Sequence, residues 1–448
     1  MKKAVKFGGS SLASAEQFQK VKQIIQADES RRYVIPSAPG KRDRQDTKVT
    51  DLLYACYDRI AAAQDASDLE EKICARYQEI VQSLGLSLDL THTLTEIFAN
   101  LHRGYGRDYA ASRGEYLNGL ILAEYLGFPF VDAAEGVCFD ADGEFLPEAT
   151  NTALQKRLAE LPCAVIPGFY GARPDGTIQT FSRGGSDITG SLVARAVSAD
   201  LYENWTDVSG FLLADPRIVD DPVSIGTITY QELHELARMG AGVLHEDAIY
   251  PVREAGIPIH IKNTNRPQDI GTQIVSSTDP KAGYEITGIA GKAGYCMLNL
   301  RKTLREDNGD FNRKVLQVLR DKQVPCEAVP SGAGSVSVLV PQEKFLAREH
   351  GVLSGLHRAV QPDALSLESD LALVAIGGRG SRAKRDMAEN VFAALEDAHI
   401  HIRTFDQSME DLAMVIGVYD KDFEAAVRVI YHKFIRKDYG VEPKASNL

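Results

Sequence analysis

The sequence predicts an α/β fold, a mainly parallel sheet sandwiched by helices, followed by two smaller α+β units. Over residues 1–280, short apolar runs alternate with helix-length amphipathic segments, which is typical of a parallel sheet covered on both faces. Two glycine-bearing turns in this region join strand-like runs to helix-like runs. After a polar linker at 276–283, the order of strand-like and helix-like runs changes to a β-α-β-β pattern that occurs twice.

In the first region, apolar runs predict the strands and amphipathic spacing predicts the helices. The predicted strands include Tyr33–Pro36, Pro129–Val131, Ala164–Ile166 and Pro258–Ile261, and the predicted helices include Thr50–Ala63 and Asp68–Leu84. The tetrapeptide Ser14–Gln17 has the spacing of a capping box and predicts the start of the first helix. In such sheets, ligands bind beyond the carboxyl ends of the strands.

In the second region, the same signals predict two ferredoxin-like units. The predicted strands are 286–300, 335–340, 371–376, 400–405 and 413–418, and the predicted helices are 311–321, 383–398 and 422–434. The domain boundaries expected from this pattern are a first domain at 1–280, a second at 284–365 together with about 436–448, and a third at 366–435.

Composition and charge exclude several classes of protein. Of the 448 residues, 44% are hydrophobic and 25% charged, as in ordinary globular proteins, and no apolar run is long enough to span a membrane. The first residues lack the apolar region of a signal peptide, so we expect a cytoplasmic protein. The net charge of −12 argues against nucleic-acid binding. None of the six cysteines forms a Cys-x-x-Cys pair, so we expect reduced thiols and no metal site.

The two glycine turns are the strongest local signal of function. Lys6–Ser10 reads Lys-Phe-Gly-Gly-Ser, and Phe181–Asp187 reads Phe-Ser-Arg-Gly-Gly-Ser-Asp. Glycine lets a backbone approach a ligand closely, and a helix N-terminus offers N–H groups to anions. Each turn adds a basic residue and a hydroxyl group. Together they predict one polyanion held between two elements of one sheet, at a site that matches neither the P-loop nor the dinucleotide-binding fingerprint.

Over nearly its whole length the chain resembles the aspartate kinases of the amino acid kinase superfamily, with C-terminal ACT domains. The segments that carry the resemblance are Lys6–Ser11, Ser37–Gly40, Ser112–Glu115, Pro167–Gly171, Arg183–Asp187, Trp205–Gly210, Asp215–Arg217, Val243–His245, Asn263–Thr264 and Gly271–Thr272. The length implies a monofunctional enzyme without a fused homoserine dehydrogenase.

The resemblance implies ATP-dependent phosphorylation of the β-carboxylate of L-aspartate, the first step of lysine, threonine and methionine biosynthesis. A carboxylate is already ionised at pH 7 and needs no general base. The protein has to bring two anions together and stabilise a loose transition state, which explains a site rich in Lys, Arg, glycine N–H and hydroxyl groups. ATP is expected to bring Mg²⁺ with it, because no cluster of protein ligands is evident.

Residue roles follow from the matching positions in the family. By resemblance, Lys6 and Asp187 are catalytic. The residues expected to bind aspartate are Thr50, Glu115, Phe169, Arg183 and Ser186, with the Arg183 guanidinium suited to the α-carboxylate. The residues expected to bind ATP are Lys6, Gly8, Gly9, Ser10, Thr206, Asp207 and Arg217.

The nucleotide pocket also holds the points where this chain departs from the family. Many members have Lys where this chain has Gly242, and an aromatic residue where it has Leu212. The single tryptophan, Trp205, is expected either to flank the adenine or to be a buried structural indole. His245 matches a family position, but a helix histidine with an ordinary structural role is the preferred interpretation.

The ACT resemblance implies feedback inhibition by an amino acid, with L-lysine preferred over threonine. A lysine site needs an acidic partner for the side-chain ammonium and N–H groups for the carboxylate, and the residues expected to contribute to it are Asn308, Asp310, Phe311 and Glu327. A homodimer or a dimer of dimers is expected. The alternatives are another amino acid kinase acting on glutamate or a related carboxylate, and a catalytically inactive amino-acid sensor.

Overall fold

A computed structural model describes the chain except residues 183, 239–245, 279–285, 304–307, 328–330, 333, 379, 407–412 and 440–448, and beside several of these gaps it describes only the backbone. The chain divides into two compact units. The first consists of Met1–Phe211, Ser224–Tyr230 and Val243–Thr278, and the second of Leu212–Val223, Gln231–Gly242 and Asp279–Leu448.

The N-terminal part of the chain alternates strands and helices. The strands are β1 Lys3–Phe7, β2 Arg31–Pro36, β3 Ala164–Val165, β4 Tyr170–Ala172, β5 Ile178–Thr180, β6 Leu201–Thr206, β7 Phe211–Leu212, β8 Ser224–Ile225, β9 Thr227–Thr229, β10 Ile259–Asn263 and β11 Thr272–Val275. The helices are α1 Ala15–Gln26, α2 Val49–Ala61, α3 Ser67–Ser83, α4 Thr91–His102, α5 Arg107–Leu126, α6 Pro147–Leu158, α7 Gly185–Ala196, α8 Tyr230–Arg238 and α9 Glu246–Glu254, with 3₁₀ turns at Gly9–Leu12 and Ala133–Glu135.

A seven-stranded sheet forms the centre of the first unit. Its strand order is β3-β2-β1-β6-β10-β11-β9, and every pair is parallel except β10 with β11. Strand β1 is fully buried between β2 and β6, so the turn after Phe7 leaves the sheet near its middle, at the carboxyl ends of the parallel strands. The predicted parallel sheet is confirmed.

Trp205 is a structural residue of this sheet. Its side chain is 1% exposed, its ring stacks against Phe7 with centroids 6.1 Å apart, and its Nε1 donates to Glu203 at 2.8 Å. Burial raises the pKa of Glu203, but hydrogen bonds from Arg31 and Lys3 more than offset this, so the pKa is lowered. Of the two interpretations of the tryptophan, the structure supports the buried indole.

Three local expectations from the sequence are wrong. Residues 129–131 form no strand, since Phe130 makes only an isolated bridge to Val165. Ser14 stands at the N-cap of α1 but makes no capping bond with its side chain, and Gln17 donates to Asn265 instead of completing a capping box. The second glycine turn follows β5, which pairs only with β4 in a separate two-stranded sheet. The two glycine turns therefore do not follow two strands of one sheet.

The second unit is built on one antiparallel sheet of six strands, in the order β13-β14-β12-β15-β17-β16. Its strands are β12 Ile286–Arg301, β13 Ser331–Gly332, β14 Ser335–Pro341, β15 Ala364–Gly378, β16 Thr404–Asp406 and β17 Ala413–Tyr419. Its helices are α10 Asn308–Asp321, α11 Gln342–Leu346, α12 Glu349–Val360, α13 Gly380–Asp397 and α14 Phe423–Tyr439. The long strands β12 and β15 pair with each other, so the two expected small units share a continuous sheet.

None of the helices that the structure describes has the length and apolar character needed to span a bilayer.

Candidate active site

A buried lysine at the centre of the sheet is held by two polar residues. Lys6 lies on β1 beside Asn204 of β6, and the first turn of α7 brings Asp187 to the same point. Lys6 Nζ lies 2.7 Å from Asp187 Oδ1 and 3.4 Å from Asn204 Oδ1, and Asn204 Nδ2 donates to Asp187 Oδ1 at 2.7 Å. The Lys6 side chain is 10% exposed and that of Asp187 20%, so both retain a path to solvent.

No motif in the sequence marks Asn204 as a site residue. Asn204 is 3% exposed and stands next to Lys6 in register on β6, a strand whose four central residues are all buried. A buried asparagine inside a central strand is the signal that was available, since buried polar side chains need partners. The partners themselves depend on strand pairing and could not be read from the sequence.

The turn after β1 requires glycine because another loop crosses it. A Cβ at Gly9 would lie 2.9 Å from the carbonyl oxygen of Ala38, and one at Gly40 would lie 2.7 Å from the Gly9 carbonyl carbon. Gly40 N–H donates to Gly9 O at 2.8 Å, and Gly8 N–H donates to Trp205 O at 2.9 Å. The segments Lys6–Ser10 and Ser37–Gly40 therefore touch backbone to backbone. Ser10 follows in the 3₁₀ turn and is half-buried.

The second glycine turn is also packed against a neighbouring loop. Gly184 has φ +58° and is the N-cap of α7, and a Cβ at Gly185 would lie 2.6 Å from Phe169 Cδ2. Phe169 itself has φ +83°, and its N–H donates to Thr189 Oγ1 at 3.1 Å. Gly168 packs so closely on Ser186 that a Cβ there would lie 2.7 Å from Ser186 Cα. Phe169 and Ser186 are therefore held together at the start of α7, whereas Arg183 lies outside the described residues.

Glu115 is a buried carboxylic acid with an unused oxygen. It lies on α5, is 6% exposed, and its Oε2 has no hydrogen-bond partner. Burial raises the pKa of Glu115 to about 8, and an N–H bond from Ala38 and the charge of Lys6 oppose that rise only in part. The side chain is therefore mainly protonated at pH 7, and a cationic ligand would favour its ionised form.

Thr50 lies in the first turn of α2, beside the same crossing loop. It is half-buried, and the preceding Val49 N–H donates to Pro39 O at 3.2 Å. The Ser37–Gly40 segment, or a residue hydrogen-bonded to it, therefore lies next to each of three candidate site residues: Lys6, Glu115 and Thr50.

The residues expected to hold the nucleotide fall in different units. Thr206 ends β6 in the first unit, accepts an N–H bond from Thr264 through its carbonyl oxygen, and contacts the exposed Asp207. Arg217 belongs to the second unit, where its side chain is 87% exposed and pairs with Asp215 at 2.5 Å. Leu212 ends β7 and is also part of the second unit, and Gly242 and His245 lie outside the described residues.

Within the part of the chain that the structure describes, no group of three His, Cys, Asp or Glu side chains could hold a metal ion.

The residues expected to bind an effector have ordinary contacts in this structure. Phe311 is 5% exposed and packs in the core of the second unit. Asp310 makes ion pairs with Arg313 and Lys314 of its own helix, both at 2.6 Å. Glu327 is exposed, and the side chain of Asn308 lies outside the described residues.

Comparison with known proteins gives a consistent result over both units. The model of the amino acid kinase family matches residues 1–263, and an ACT-domain model matches residues 374–434. Aspartokinase 3 of Bacillus subtilis (strain 168) is 35% identical over 96% of this chain and 98% of its own length. Aspartokinase 1, chloroplastic, of Arabidopsis thaliana is 26% identical over 99% of this chain and 82% of its own.

Solved structures of aspartate kinases share the fold. The Clostridium acetobutylicum aspartate kinase, described as an allosteric enzyme, is 45% identical, with a TM-score of 0.92 over 96% of this chain and 100% of that one. E. coli aspartokinase III, solved with aspartate and ADP, has the same fold at 22% identity, with a TM-score of 0.73 over 97% of this chain and 100% of that one. The resemblance noted in the sequence is confirmed. The chain belongs to the amino acid kinase family and, within it, to the aspartate kinases.

Proposed function

We propose that this protein transfers the γ-phosphoryl group of ATP to the β-carboxylate of L-aspartate, giving 4-phospho-L-aspartate and ADP. The observation that carries the proposal is the buried Lys6, held by Asp187 and Asn204 beside a backbone crossing that only glycine permits. Full-length similarity to named aspartokinases supports this choice of substrate. The product would enter the biosynthesis of lysine, threonine and methionine.

The proposed chemistry is positioning and charge stabilisation. The acceptor carboxylate is ionised at pH 7, so no side chain has to remove a proton. In a loose phosphoryl-transfer transition state, charge moves toward the leaving oxygen, and the Lys6 ammonium at the end of β1 stabilises it. Asp187 and Asn204 fix the direction of Lys6 Nζ, so little reorganisation is needed during the reaction.

On the aspartate side, Glu115 is the acceptor for the α-ammonium group. Its Oε2 is buried and unpartnered, and a bound ammonium would supply the missing hydrogen bond. Thr50, Phe169 and Ser186 complete the aspartate pocket in this proposal, and Arg183 binds the α-carboxylate.

On the nucleotide side, Gly8, Gly9 and Ser10 present backbone N–H and hydroxyl groups to the phosphates. Thr206, Asp207 and Arg217 are the further ATP contacts in this proposal. Mg²⁺ would arrive with ATP and neutralise phosphate charge, since the described residues offer no metal-binding cluster of their own.

ADP release with aspartate as acceptor tests the proposal. We expect saturable turnover with L-aspartate and ATP, and trapping of the acyl phosphate as a hydroxamate. L-Glutamate is the matched competitor, because it differs by one methylene. Preference for glutamate would replace the proposed substrate with that of another amino acid kinase, and no turnover with either acid would favour the inactive sensor.

We further propose that L-lysine inhibits the enzyme through the second unit, and that the chain forms a homodimer or a dimer of dimers. The ACT-domain match and the allosteric character of the Clostridium relative support regulation through the second unit. The proposed domain boundaries remain 1–280, 284–365 with about 436–448, and 366–435. Titrating lysine, threonine and their mixture into the turnover assay tests the regulation, and unchanged rates at 10-fold excess over physiological concentrations would reject it.

A further inference from the structure

Arg76 of α3 joins three segments that adjoin the candidate site. Its Nη2 donates to the carbonyl oxygens of Ala13 at 2.8 Å and Gly40 at 2.9 Å, and its Nη1 binds Asp46 Oδ2 at 2.6 Å. Ala13 directly follows the 3₁₀ turn that begins after Gly8, and Gly40 ends the loop that crosses this turn. Asp46 lies in the segment that leads into α2 and Thr50.

We propose that Arg76 is a positioning residue for phosphoryl transfer. By holding these three backbone segments at one point, its guanidinium sets the geometry of the Gly8–Ser10 turn and of the loop carrying Ala38. The proposal rests on the aspartate kinase activity proposed above, but it also predicts a local mobility change that does not depend on activity.

The contact between Gly9 and Gly40 explains why the relative position of the two loops needs a further side chain to fix it. Gly9 and Gly40 share one hydrogen bond of 2.8 Å, and neither has a side chain that could lock the contact. Glycine has more backbone freedom than any other residue, so the crossing by itself is weakly determined. Arg76 supplies two hydrogen bonds to carbonyl oxygens on the two sides of this crossing.

The loop that carries Ala38 also links the Gly8–Ser10 turn to the proposed aspartate pocket. Glu115 follows Gly114, which packs so closely on this loop that a Cβ at Gly114 would lie 2.7 Å from Ala38 Cβ. Burial raises the pKa of Glu115, and the nearby N–H group of Ala38 opposes that rise. A shift of the loop would therefore move Gly9 and the Glu115 contact together. Misplacement of reacting groups by about 1 Å can reduce a rate by about 100-fold.

The charge of Arg76 is compensated locally. The side chain is 5% exposed, and its principal charged partner, Asp46, also accepts from Arg42. Burial raises the pKa of Asp46, but the bonds from Arg42 and then Arg76 hold it well below its usual range. Arg76 Nε has no partner, so the guanidinium is positioned for its three acceptors without using its full donor set.

Arg76→Met removes the three hydrogen bonds and the charge while keeping a long side chain. Ile73→Ala is the matched control, because Ile73 is fully buried on the same helix and contacts none of these segments through hydrogen bonds. Arg76→Lys keeps the charge but cannot span the three acceptors with one ammonium.

We expect Arg76→Met to lower kcat/KM for both substrates by about 10- to 100-fold, and Arg76→Lys to be intermediate. Ile73→Ala should lower the Tm without changing either KM. Hydrogen exchange of the peptides covering 8–13 and 37–48 should accelerate in Arg76→Met and stay near wild type in Ile73→Ala.

Equal exchange rates in these peptides for Arg76→Met and Ile73→Ala would overturn the positioning role, whatever the activity. A wild-type protein that does not phosphorylate aspartate would instead reject the proposed function, and the exchange experiment would still decide the role of Arg76. Faster exchange confined to Arg76→Met supports the inference.

Discussion

Lys6 Nζ and Asp187 Oδ1 lie 2.7 Å apart, although one residue is on the first strand and the other begins a helix far along the chain. Asn204 bonds to Asp187 and contacts Lys6, so the three side chains form one hydrogen-bonded group at the carboxyl end of β1. An ammonium held in this way is oriented before any substrate arrives, and such preorganisation is a major source of rate enhancement.

Lys6→Met should lower kcat by about 100- to 1000-fold, because it removes a preorganised charge from the leaving oxygen. The KM for aspartate should change little, since aspartate is assigned to other residues. Steady-state ADP release measures both constants. Lys2→Met is the control, because Lys2 bonds to the carbonyl oxygen of Val197 and takes no part in the group.

A double-mutant cycle shows whether Asp187 acts by orienting Lys6 or through its own charge. If Asp187 acts partly through Lys6, Asp187→Asn combined with Lys6→Met should cost clearly less than the sum of the two single variants. Full additivity would contradict the idea that the two residues work as a unit.

Glu115 gives the site a pH dependence. Its pKa of about 8 means that raising the pH from 6.5 to 8.5 ionises the carboxyl group and strengthens binding of an ammonium group. The kcat/KM for aspartate should therefore rise over this range in the wild type. In Glu115→Gln it should be lower and nearly independent of pH, and a similar slope in that variant would assign the titration to another group.

The same shift predicts an effect on stability. Because the folded pKa lies above the unfolded one, the native state retains a proton between about pH 4.5 and 8 that the unfolded state has released. The free energy of unfolding should therefore fall as the pH rises through this window. Glu115→Gln lacks this loss, so its Tm relative to the wild type should increase from pH 5 to pH 8, as thermal denaturation would show.

Sequence patterns predicted the parallel sheet and the turn after β1 because both depend on local signals. Apolar runs mark the buried strands, and adjacent glycines mark a close backbone approach. The prediction that the second turn follows a strand of the same sheet is wrong, since β5 has the pattern of a strand but pairs with its neighbour β4 in a separate two-stranded sheet. A strand-like run does not say which strand it pairs with.

The site residues also differ in whether a local sequence signal marks them or only the folded structure reveals them. The role of Asn204 cannot be read from the sequence, because it depends on the strand register that brings Asn204 beside Lys6. Only the family resemblance points to Glu115. Helix α5 buries residues on all sides, so its sequence lacks the polar face that would have marked Glu115 as an unusual buried charge.

Gly9→Ala should disrupt the crossing of the two loops. The added Cβ would lie 2.9 Å from Ala38 O and 3.2 Å from Gly40 N, and both are backbone atoms that cannot move aside cheaply. We expect kcat/KM to fall by at least about 10-fold, because the Gly8–Ser10 turn, which is proposed to bind the phosphates, would be displaced. Gly106→Ala is the control, since a Cβ there meets nothing within 4 Å. Equal activity of the two variants would show that the close contact is not needed for catalysis.

Arg217→Ala tests whether the second unit contributes to nucleotide binding. Arg217 is 87% exposed, and its ion pair with Asp215 lies within the same short segment, so its loss should leave the Tm nearly unchanged. If Arg217 contacts ATP, the KM for ATP should rise by about 5- to 20-fold while the KM for aspartate stays constant, as for a charged hydrogen bond of about 1.5 kcal/mol. Arg313→Ala is the matched control, because it removes another highly exposed arginine of the second unit from its pair with Asp310, and it should leave both constants unchanged. If the KM for ATP is equal in the two variants, Arg217 is not part of the nucleotide site. Thr206 and Asp207, at the carboxyl end of β6, would then be the proposed nucleotide residues there.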